Sequence, residues 1–436
     1  MKKQSLLRFC ITSSATIAVL TLAACNAVTP AKTPSAAPVR DQAARVAGMD
    51  AKIEALLAKL TLDEKVSLVH ANGKFSVAAV ERLGIHETWL SDGPHGVREE
   101  ISRDKWDPAG WTNDQATYLP PLTMVAASWD TEIAAMHGNV LGSEARHRNK
   151  DFILGPGANL ARLPLYGRNF EYFGEDPLLS GKLAAAEIRA IQQNDVAATV
   201  KHYALNTQEL NRIGVDNNPD ERTLREIYLP AFEMSVKEGG VLSVMGGYNE
   251  YKGTNVNQSA ELVNQILKGE WGFDGVLMTD WNVDINTYDA AMNGLDLEMG
   301  TDVADFDQYF FAKPLKAQIE AGKIPESVLD DKVRRMLRVH FLIGKFDKYR
   351  LHGERNTHAH QQAAKAIAEA GIVLLKNDAV NGKKLLPLDK TAVKNVLLLG
   401  PNVDKLHGAG GGSSTVKALY ELSLIHISEP TRRHLI

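Results

Sequence analysis

The sequence predicts an α/β protein whose main domain is a (β/α)8 barrel of the TIM type. Short apolar runs end in polar or Gly-rich turns at 88–90, 152–154, 197–200, 241–245 and 276–279. Amphipathic stretches separate most of them, at 131–146, 178–193, 221–237 and 261–268. Strands that alternate with helices require crossover connections, which produce a parallel sheet covered by helices. The 436 residues, 44% of them apolar, suffice for one large α/β domain and part of a second.

Two helices are expected before the first strand. Apolar residues recur at helical spacing over 53–60. Thr61 and Glu64 then have the spacing of a capping box, in which each side chain binds the backbone N–H of the other residue. The folded domain is therefore expected to begin near residue 49.

The first 25 residues have the pattern of a bacterial export signal. Lys2, Lys3 and Arg8 accompany an apolar stretch at 11–24 that is too short to span a bilayer. The stretch ends in Leu-Ala-Ala-Cys25, which resembles the lipobox of bacterial lipoproteins; an ordinary cleavage site is the alternative. Residues 26–48, rich in Ala, Pro and Thr, are expected to form a solvated tether. The sequence thus predicts an exported protein of the bacterial cell envelope, periplasmic or on the outer membrane, that meets the membrane only through a lipid on Cys25.

Charged and aromatic residues lie just beyond several predicted strands. The carboxyl ends of parallel barrel strands lie on one face, where active sites are built from several loops. We therefore expect these side chains to share a pocket. Charged side chains that form hydrogen bonds, placed beside aromatic rings, suit a neutral polyhydroxylated ligand. In chain order the candidates are Asp92, Arg162, Lys201, His202, Tyr248 and Trp281.

Composition and motifs exclude several classes of protein. The formal charge of −4 argues against a nucleic-acid partner. Both cysteines, Cys10 and Cys25, lie in the predicted signal, so the folded part has no thiol for catalysis or zinc binding. The sequence has no P-loop, strand-linked GxGxxG, HExxH or GxSxG motif, so no metal and no cofactor are predicted. Ordinary surface positions on helices are expected for His137, His147, His358 and His360. The function that these exclusions leave is a reaction of carboxylate side chains with a sugar.

A set of motifs in a fixed order resembles glycoside hydrolase family 3, in its β-glucosidase branch. The motifs are 91–98 (SDGPHGVR), 155–162 (GPGANLAR), 167–171 (GRNFE), 174–177 (GEDP), 201–202 (KH), 245–249 (MGGYN), 278–281 (MTDW) and 294–299 (GLDLEM). The resemblance covers residues 50–420 approximately. It implies a retaining, exo-acting β-glycosidase with a barrel domain at 49–350, a linker at 351–362 and the start of an incomplete α/β sandwich domain at 363–420.

The resemblance also implies roles for individual residues. Asp280 matches the nucleophile, a carboxylate that in retaining enzymes lies about 5–5.5 Å from a second carboxyl group. Asp92 matches the residue that binds hydroxyls on the far side of the glycone ring. Arg162, Lys201 and His202 match further donors to the glycone.

The remaining positions implied by the resemblance line the pocket. Tyr248 matches a tyrosine beside the nucleophile, and Trp281 an aromatic platform on the aglycone side. Met245 and Arg212 match pocket-lining positions less specifically. Ser413 matches a loop residue of the sandwich domain that reaches toward the glycone.

The general acid/base is not matched by any residue of the chain. The loop at 201–206 reads KHYALN, unlike the KHFPGHG of the N-acetylglucosaminidase branch, which carries its acid within the barrel. The acid is therefore expected from the sandwich domain. The resemblance stops near residue 419, and 421–436 resemble a translated adapter, with an amphipathic tail as the alternative. The chain as written is thus expected to be C-terminally truncated, to lack the acid/base and to have doubtful activity.

The favoured function is release of glucose from the non-reducing ends of β-linked gluco-oligosaccharides or glucosides. A β-xylosidase of the same family is the nearest alternative. A carbohydrate-binding lipoprotein without catalysis would not need Asp280. An aldolase or phosphate-binding isomerase would need a Schiff-base lysine, for which Lys201 is the only candidate, or a phosphate loop. The sequence leaves the oligomeric state open.

Overall fold

A computed structural model describes residues 46–300, 305–389, 391–403, 405–406 and 411–423, all within one unit that spans 41–436. Three predicted features lie outside the described residues: the signal at 1–25 with Cys25, the tether up to residue 45, and the tail from residue 424 onward. No helix among the described residues has both the length and the apolar character needed to cross a membrane.

Seven strands form one sheet in the order β1-β2-β3-β4-β5-β6-β9, while β7 and β8 form a separate hairpin. The strands are β1 (Ala71–Gly73), β2 (Ser76–Val77), β3 (Thr88–Asp92), β4 (Phe152–Leu154), β5 (Ala197–Tyr203), β6 (Ser243–Gly246), β7 (Glu250–Tyr251), β8 (Thr254–Asn255) and β9 (Val276–Met278). The strands β3, β4, β5, β6 and β9 are parallel neighbours, as predicted. The pairs β1–β2 and β2–β3 are antiparallel, which departs from a regular (β/α)8 barrel.

The sheet closes through a short segment, Leu297 and Glu298, that forms parallel bridges to both of its edges. Leu297 pairs with Met278 at the end of β9, and Glu298 pairs with His70 just before β1. Backbone bonds hold the closure, with the Ala71 N–H donating to the Glu298 carbonyl at 2.8 Å. Together with the seven strands this segment makes eight barrel positions. The predicted barrel is therefore confirmed, with an antiparallel second strand.

The helices surround the sheet. They are α1 (Met49–Leu57), α2 (Leu62–Ser67), α3 (Leu122–Ala127), α4 (Thr131–His147), α5 (Pro177–Gln192), α6 (Glu221–Thr223), α7 (Pro230–Lys237), α8 (Thr287–Met292), α9 (Lys313–Glu320), α10 (Glu326–Leu342) and α11 (His358–Ala370). π-helical turns occupy Leu224–Tyr228, between α6 and α7, and Glu261–Glu270. The capping box predicted at Thr61 and Glu64 starts α2.

Helices α4 and α5 pack closely because glycine lies at their contact. A Cβ on Gly138 would lie 2.4 Å from the carbonyl oxygen of Glu187. His137 beside it is fully buried, with its Nδ1 3.2 Å from the Glu187 carboxylate, so the predicted surface position of this histidine was wrong. His360 is also buried, and its Nδ1 lies 2.8 Å from Glu144. Both histidines lie between packed elements, which periodicity within one helix does not reveal.

The described residues after α11 form no strand longer than an isolated bridge. The apolar runs at 371–377 and 396–401 lie in the predicted sandwich domain, which the resemblance expects to open with strands. The apolar side chains there are largely exposed, 92% for Leu375 and 81% for Leu399. A strand requires neighbours for its backbone N–H and C=O groups and cover for its apolar face. The described residues supply neither, and the sandwich domain stays a prediction.

Candidate active site

The carboxyl ends of the parallel strands bring most of the predicted site residues together. Asp92 is the last residue of β3, and Lys201 and His202 lie near the end of β5. Asp280 follows β9 by two residues. All four side chains are nearly buried, with at most 10% of each exposed. The barrel thus concentrates ionisable groups at one end of its strands, as the sequence predicted.

The two carboxylate oxygens of Asp280 have different surroundings. Its Oδ1 accepts a 2.8 Å hydrogen bond from the backbone N–H of Trp281. Its Oδ2 is buried and lies 3.1 Å from the Nε2 of His202 and 3.9 Å from the Arg168 guanidinium. Burial alone would raise the pKa of Asp280. The His202 ring and the charges of Arg168 and Lys201 outweigh burial and hold this pKa well below its usual range. Asp280 is therefore a carboxylate at neutral pH.

Asp92 lies between two cations. Its Oδ2 accepts a 2.8 Å hydrogen bond from Arg98, and its Oδ1 lies 3.9 Å from the Nζ of Lys201. Burial raises the pKa of Asp92 despite both cations, and the Asp280 charge acts in the same direction. The carboxylate therefore gains by accepting further hydrogen bonds from a ligand.

Two residues that were not predicted as site residues, Arg168 and Glu171, complete a group that we call the charged cluster. Its members are Asp92, Arg98, Arg168, Glu171, Lys201 and Asp280. A 3-10 turn, Asn169–Glu171, places Arg168 and Glu171 at i,i+3 spacing, and the guanidinium forms an ion pair with the carboxylate. Arg168 also lies 3.9 Å from Asp280, and its Nη2 lies 3.0 Å from the Nε2 of His202. Burial opposes ionisation of Glu171, but Arg168 and Lys201 lower its pKa to about 2. The GRNFE motif at 167–171 could have indicated this ion pair, because it contains an Arg and a Glu three residues apart.

Ser413 contacts the charged cluster, whereas Arg162 does not. The Ser413 hydroxyl donates a 2.7 Å hydrogen bond to Glu171, which joins the C-terminal segment to the cluster. Arg162 is exposed, and its guanidinium donates to the Tyr228 hydroxyl. Among the described contacts, none joins Arg162 to the cluster. The structure thus places Arg168, rather than Arg162, beside Asp280.

Aromatic side chains form one wall beside Asp280. Trp281 donates from Nε1 to the Lys74 carbonyl at 2.9 Å, and its ring lies 5.0 Å from Phe75 and 6.3 Å from Trp106. Trp281 is buried, whereas Trp106 is 42% exposed and continues the wall toward solvent. Trp106 was not predicted from the sequence.

Tyr248 and Met245 lie on the adjoining strand and loop. Burial and the neighbouring Asp280 carboxylate keep the pKa of Tyr248 well above its usual value, so the phenol remains protonated. The Arg212 guanidinium lies 3.8 Å from the centroid of the Tyr248 ring. Met245 pairs with Lys201 across the sheet and is buried in the core cluster that contains Trp281. The structure thus brings Tyr248 beside Asp280 and places Met245 behind the aromatic wall.

The arrangement suits nucleophilic carboxylate chemistry on a neutral ligand. The ionised carboxylate of Asp280 lies beside donors from His202, Arg168 and Lys201 and beside an aromatic wall. Among the described residues no group of three or more His, Cys, Asp or Glu side chains has the geometry of a metal site.

Comparisons with known proteins identify the family to which the chain is similar. The family model described as "Glycosyl hydrolase family 3 N terminal domain" matches residues 52–339. The chain is 46% identical over 380 residues to beta-glucosidase BoGH3A of Bacteroides ovatus, covering 85% of this chain and 50% of that protein. It is 38% identical over 369 residues to thermostable beta-glucosidase B of Acetivibrio thermocellus, covering 84% and 47%.

A solved structure supports the same relationship. Beta-glucosidase 3B from Thermotoga neapolitana, in complex with glucose, superposes with a TM-score of 0.79 at 33% identity, covering 87% of this chain and 54% of that one. The chain spans about half the length of the curated relatives that it matches. The family match includes all the strands described above and extends over most of the barrel helices. The chain belongs to glycosyl hydrolase family 3.

Proposed function

We propose that this chain carries the nucleophile and the glycone-binding site of a retaining, exo-acting β-glucosidase, which releases glucose from the non-reducing ends of β-glucosides. Support comes from the family assignment and from relatives named beta-glucosidases. The observation that carries the proposal is the state of Asp280, with Oδ1 fixed by a backbone N–H and Oδ2 buried beside His202 and Arg168, which keep the carboxylate ionised.

In the proposed reaction, Oδ2 of Asp280 attacks the anomeric carbon from one face of the sugar. The bond to the aglycone oxygen breaks, and that oxygen takes a proton as it leaves. A water then attacks the glycosyl ester at the anomeric carbon, loses a proton and regenerates the carboxylate. Because two displacements occur, the β-configuration is retained. A nucleophile held by one oxygen is already oriented for the first displacement.

The glycone hydroxyls are proposed to bind the groups around Asp280. Asp92 accepts from hydroxyl donors, while Lys201, His202 and Arg168 offer donors to hydroxyl oxygens. All are at most 12% exposed in their side chains, so hydrogen bonds to the sugar form away from bulk water. We assign Arg168 the role that the sequence had assigned to Arg162.

The proton donor is proposed to be absent from the cluster. A general acid must be protonated near neutral pH. Glu171, with its pKa lowered to about 2, is ionised there and does not qualify. General acid assistance is typically worth about 10²- to 10⁴-fold in rate. The 436-residue chain is therefore expected to react with glucosides that have good leaving groups, such as dinitrophenolate, and hardly at all with cellobiose. Ordinary turnover of cellobiose would contradict this.

Covalent trapping tests the proposal directly. Incubation with a 2-deoxy-2-fluoro-β-glucoside bearing dinitrophenolate should add one fluoroglucosyl group to the chain, located on Asp280 by peptide mass spectrometry. Asp280→Asn should abolish the adduct, whereas Asp284→Asn, which changes an exposed aspartate nearby, should leave it unchanged. No adduct on the folded chain would refute a nucleophilic role and favour the binding-only alternative. Faster trapping by the corresponding xyloside would favour the β-xylosidase alternative.

We further propose that the protein is a lipoprotein of the bacterial cell envelope, anchored through Cys25. The basic start, the apolar stretch and the Leu-Ala-Ala-Cys25 sequence support this proposal. Expression in a bacterium with labelled palmitate should label the wild-type chain and the Cys10→Ser variant, but not Cys25→Ser. Label on the Cys25→Ser variant, or its absence from the wild type, would contradict it.

A further inference from the structure

A second cavity lies at the opposite end of the barrel strands from Asp280. It has a volume of about 330 Å³ and is lined by Trp89, Trp111, Asn113, Arg148 and neighbouring residues. Trp89 is the second residue of β3, whereas Asp92 ends that strand. Lys150, also in the lining, precedes β4 by two residues. The cavity is therefore separate from the charged cluster, and its size falls within the range of about 300–1,000 Å³ of small-molecule sites.

The rim of this cavity presents a tryptophan on a fixed backbone. The Trp111 side chain is 51% exposed, but its carbonyl accepts a 2.5 Å hydrogen bond from Lys417. Two residues on, the Asn113 carbonyl accepts a hydrogen bond from Arg355. The backbone hydrogen bonds fix the position from which the indole extends, and a tryptophan, with only two side-chain torsions, loses little freedom when a flat ligand stacks on it.

The charges of the cavity are already paired with one another. The Glu100 carboxylate accepts from Arg148 at 2.5 Å and from Lys150 at 2.7 Å, and all three side chains are at most 7% exposed. Lys150 also lies 5.2 Å from the centroid of the Trp89 ring. These pairings disfavour a phosphate, which would have to compete with Glu100 for both cations.

One donor of the cavity remains without an acceptor. The Nε of Arg148 is buried and has no hydrogen-bond partner among the described residues. An unpaired buried donor is costly, and a hydroxyl oxygen would satisfy it. Asn113 and Asn149, both exposed, add polar groups to the same lining. The cavity thus offers a ring-stacking platform, neutral hydrogen-bonding groups and one buried donor.

We infer that this cavity, the Trp111 pocket, is a second carbohydrate-binding site, which holds a sugar unit of a β-glucan without hydrolysing it. The C–H face of the sugar stacks on Trp111, and its hydroxyls meet the Nε of Arg148 and the two asparagines. Glu100, the carboxylate in the described lining, is held by Arg148 and Lys150, so we expect the Trp111 pocket to bind the sugar without cleaving it. The choice of a β-glucan as the ligand rests on the proposed function, whereas the site itself rests on the lining.

Calorimetric titration with cellotetraose tests this inference. In an Asp92→Ala background, which weakens the first site, binding should persist. Adding Trp111→Ala should weaken it by about 10-fold or more, and Trp111→Phe, which keeps a ring, should weaken it less. Trp129→Ala, which removes another exposed tryptophan outside the lining, should change affinity less than twofold. Circular dichroism spectra should show that each variant is folded.

Three results would overturn the inference: loss of all binding in Asp92→Ala alone, unchanged affinity in Trp111→Ala, or competition by inorganic phosphate, which would make the cavity an anion site. Trapping at Asp280 is measured separately in the wild-type chain and in Trp111→Ala, in which the first site is intact. If Asp280 is not trapped while Trp111-dependent binding persists, the proposed function fails and the second site stands. The reverse result rejects the second site alone.

Discussion

Replacing Glu298 with Gln is expected to remove a pH-dependent loss of stability. Glu298 lies in the segment that closes the barrel, and its side chain is nearly fully buried. Its Oε2 accepts a 2.6 Å hydrogen bond from the Phe311 N–H, while its Oε1 has no partner among the described residues. Burial raises the pKa of Glu298 from 4.5 to about 7, because hydrogen bonds from the Phe311 and Phe310 backbone N–H groups offset only part of the lost hydration.

The sign of the effect follows from proton linkage. Between pH 4.5 and 7 the folded chain keeps a proton on Glu298 that the unfolded chain releases. The stabilisation is therefore fully present below pH 4.5 and is lost as the pH rises through 7. At about 1.4 kcal/mol for each pH unit, the difference between the two pKa values corresponds to about 3 kcal/mol. Part of this is already lost at pH 5, so about 2–3 kcal/mol separates pH 5 from pH 8.

Urea unfolding of the wild-type chain and Glu298→Gln at pH 5 and pH 8 measures this difference. The free energy of unfolding of the variant, relative to the wild type, should rise by about 2–3 kcal/mol from pH 5 to pH 8. Glu132→Gln, at an exposed position, controls for removal of one carboxylate and should show no such rise. A relative stability of Glu298→Gln that stays constant within about 0.5 kcal/mol would refute the reasoning.

Two further predictions concern helix packing and the site. Gly138→Ala should destabilise the fold by roughly 1–3 kcal/mol, because the added Cβ would lie 2.4 Å from the Glu187 carbonyl oxygen. Gly174→Ala, whose Cβ would have open space around it, is the control and should leave the stability nearly unchanged. Equal melting temperatures for the two variants would contradict this prediction. Arg168→Met removes a positive charge 3.9 Å from Asp280, so the pKa of Asp280 should rise and the acid limb of the trapping rate should move to higher pH. Arg168→Lys should restore part of the shift, and an unchanged pH profile in Arg168→Met would show that the guanidinium does not hold the carboxylate ionised.

Much of the barrel is predictable because its strands are continuous apolar runs. The run at 152–154 coincides with β4. The helix predicted at 131–146 ends one residue before α4 does, and the helix predicted at 178–193 begins and ends one residue after α5 does. The antiparallel strands β1 and β2 have three and two residues, too few for any periodicity to register. The closing segment at Leu297 and Glu298 is shorter than a strand and is defined by its partners rather than by its own sequence. The elements that the sequence did not predict are therefore those whose formation depends on tertiary pairing with other parts of the chain.

The site shows the same division between strands and loops. Asp92, Lys201 and His202 lie at strand ends, where the direction of the sheet fixes their position. Arg162 and Arg168 both lie in the irregular segment between β4 and α5, where the spacing of residues does not determine which guanidinium turns toward the barrel mouth. The 3-10 turn next to Arg168 determines which guanidinium does so, because it brings Arg168 into an ion pair with Glu171.

The charges of the charged cluster sum to zero. It contains three carboxylates (Asp92, Glu171, Asp280) and three cations (Arg98, Arg168, Lys201), and each side chain is at most 14% exposed. Since buried charges are tolerated when they are paired, removal of one member leaves another uncompensated, at a cost of about 3–5 kcal/mol. Variants at these positions are therefore expected to lose stability as well as function. The same balance favours a neutral ligand, because a phosphorylated sugar would add negative charge to a buried site whose cations are already paired, whereas a neutral glycone contributes hydroxyl groups and leaves the net charge unchanged.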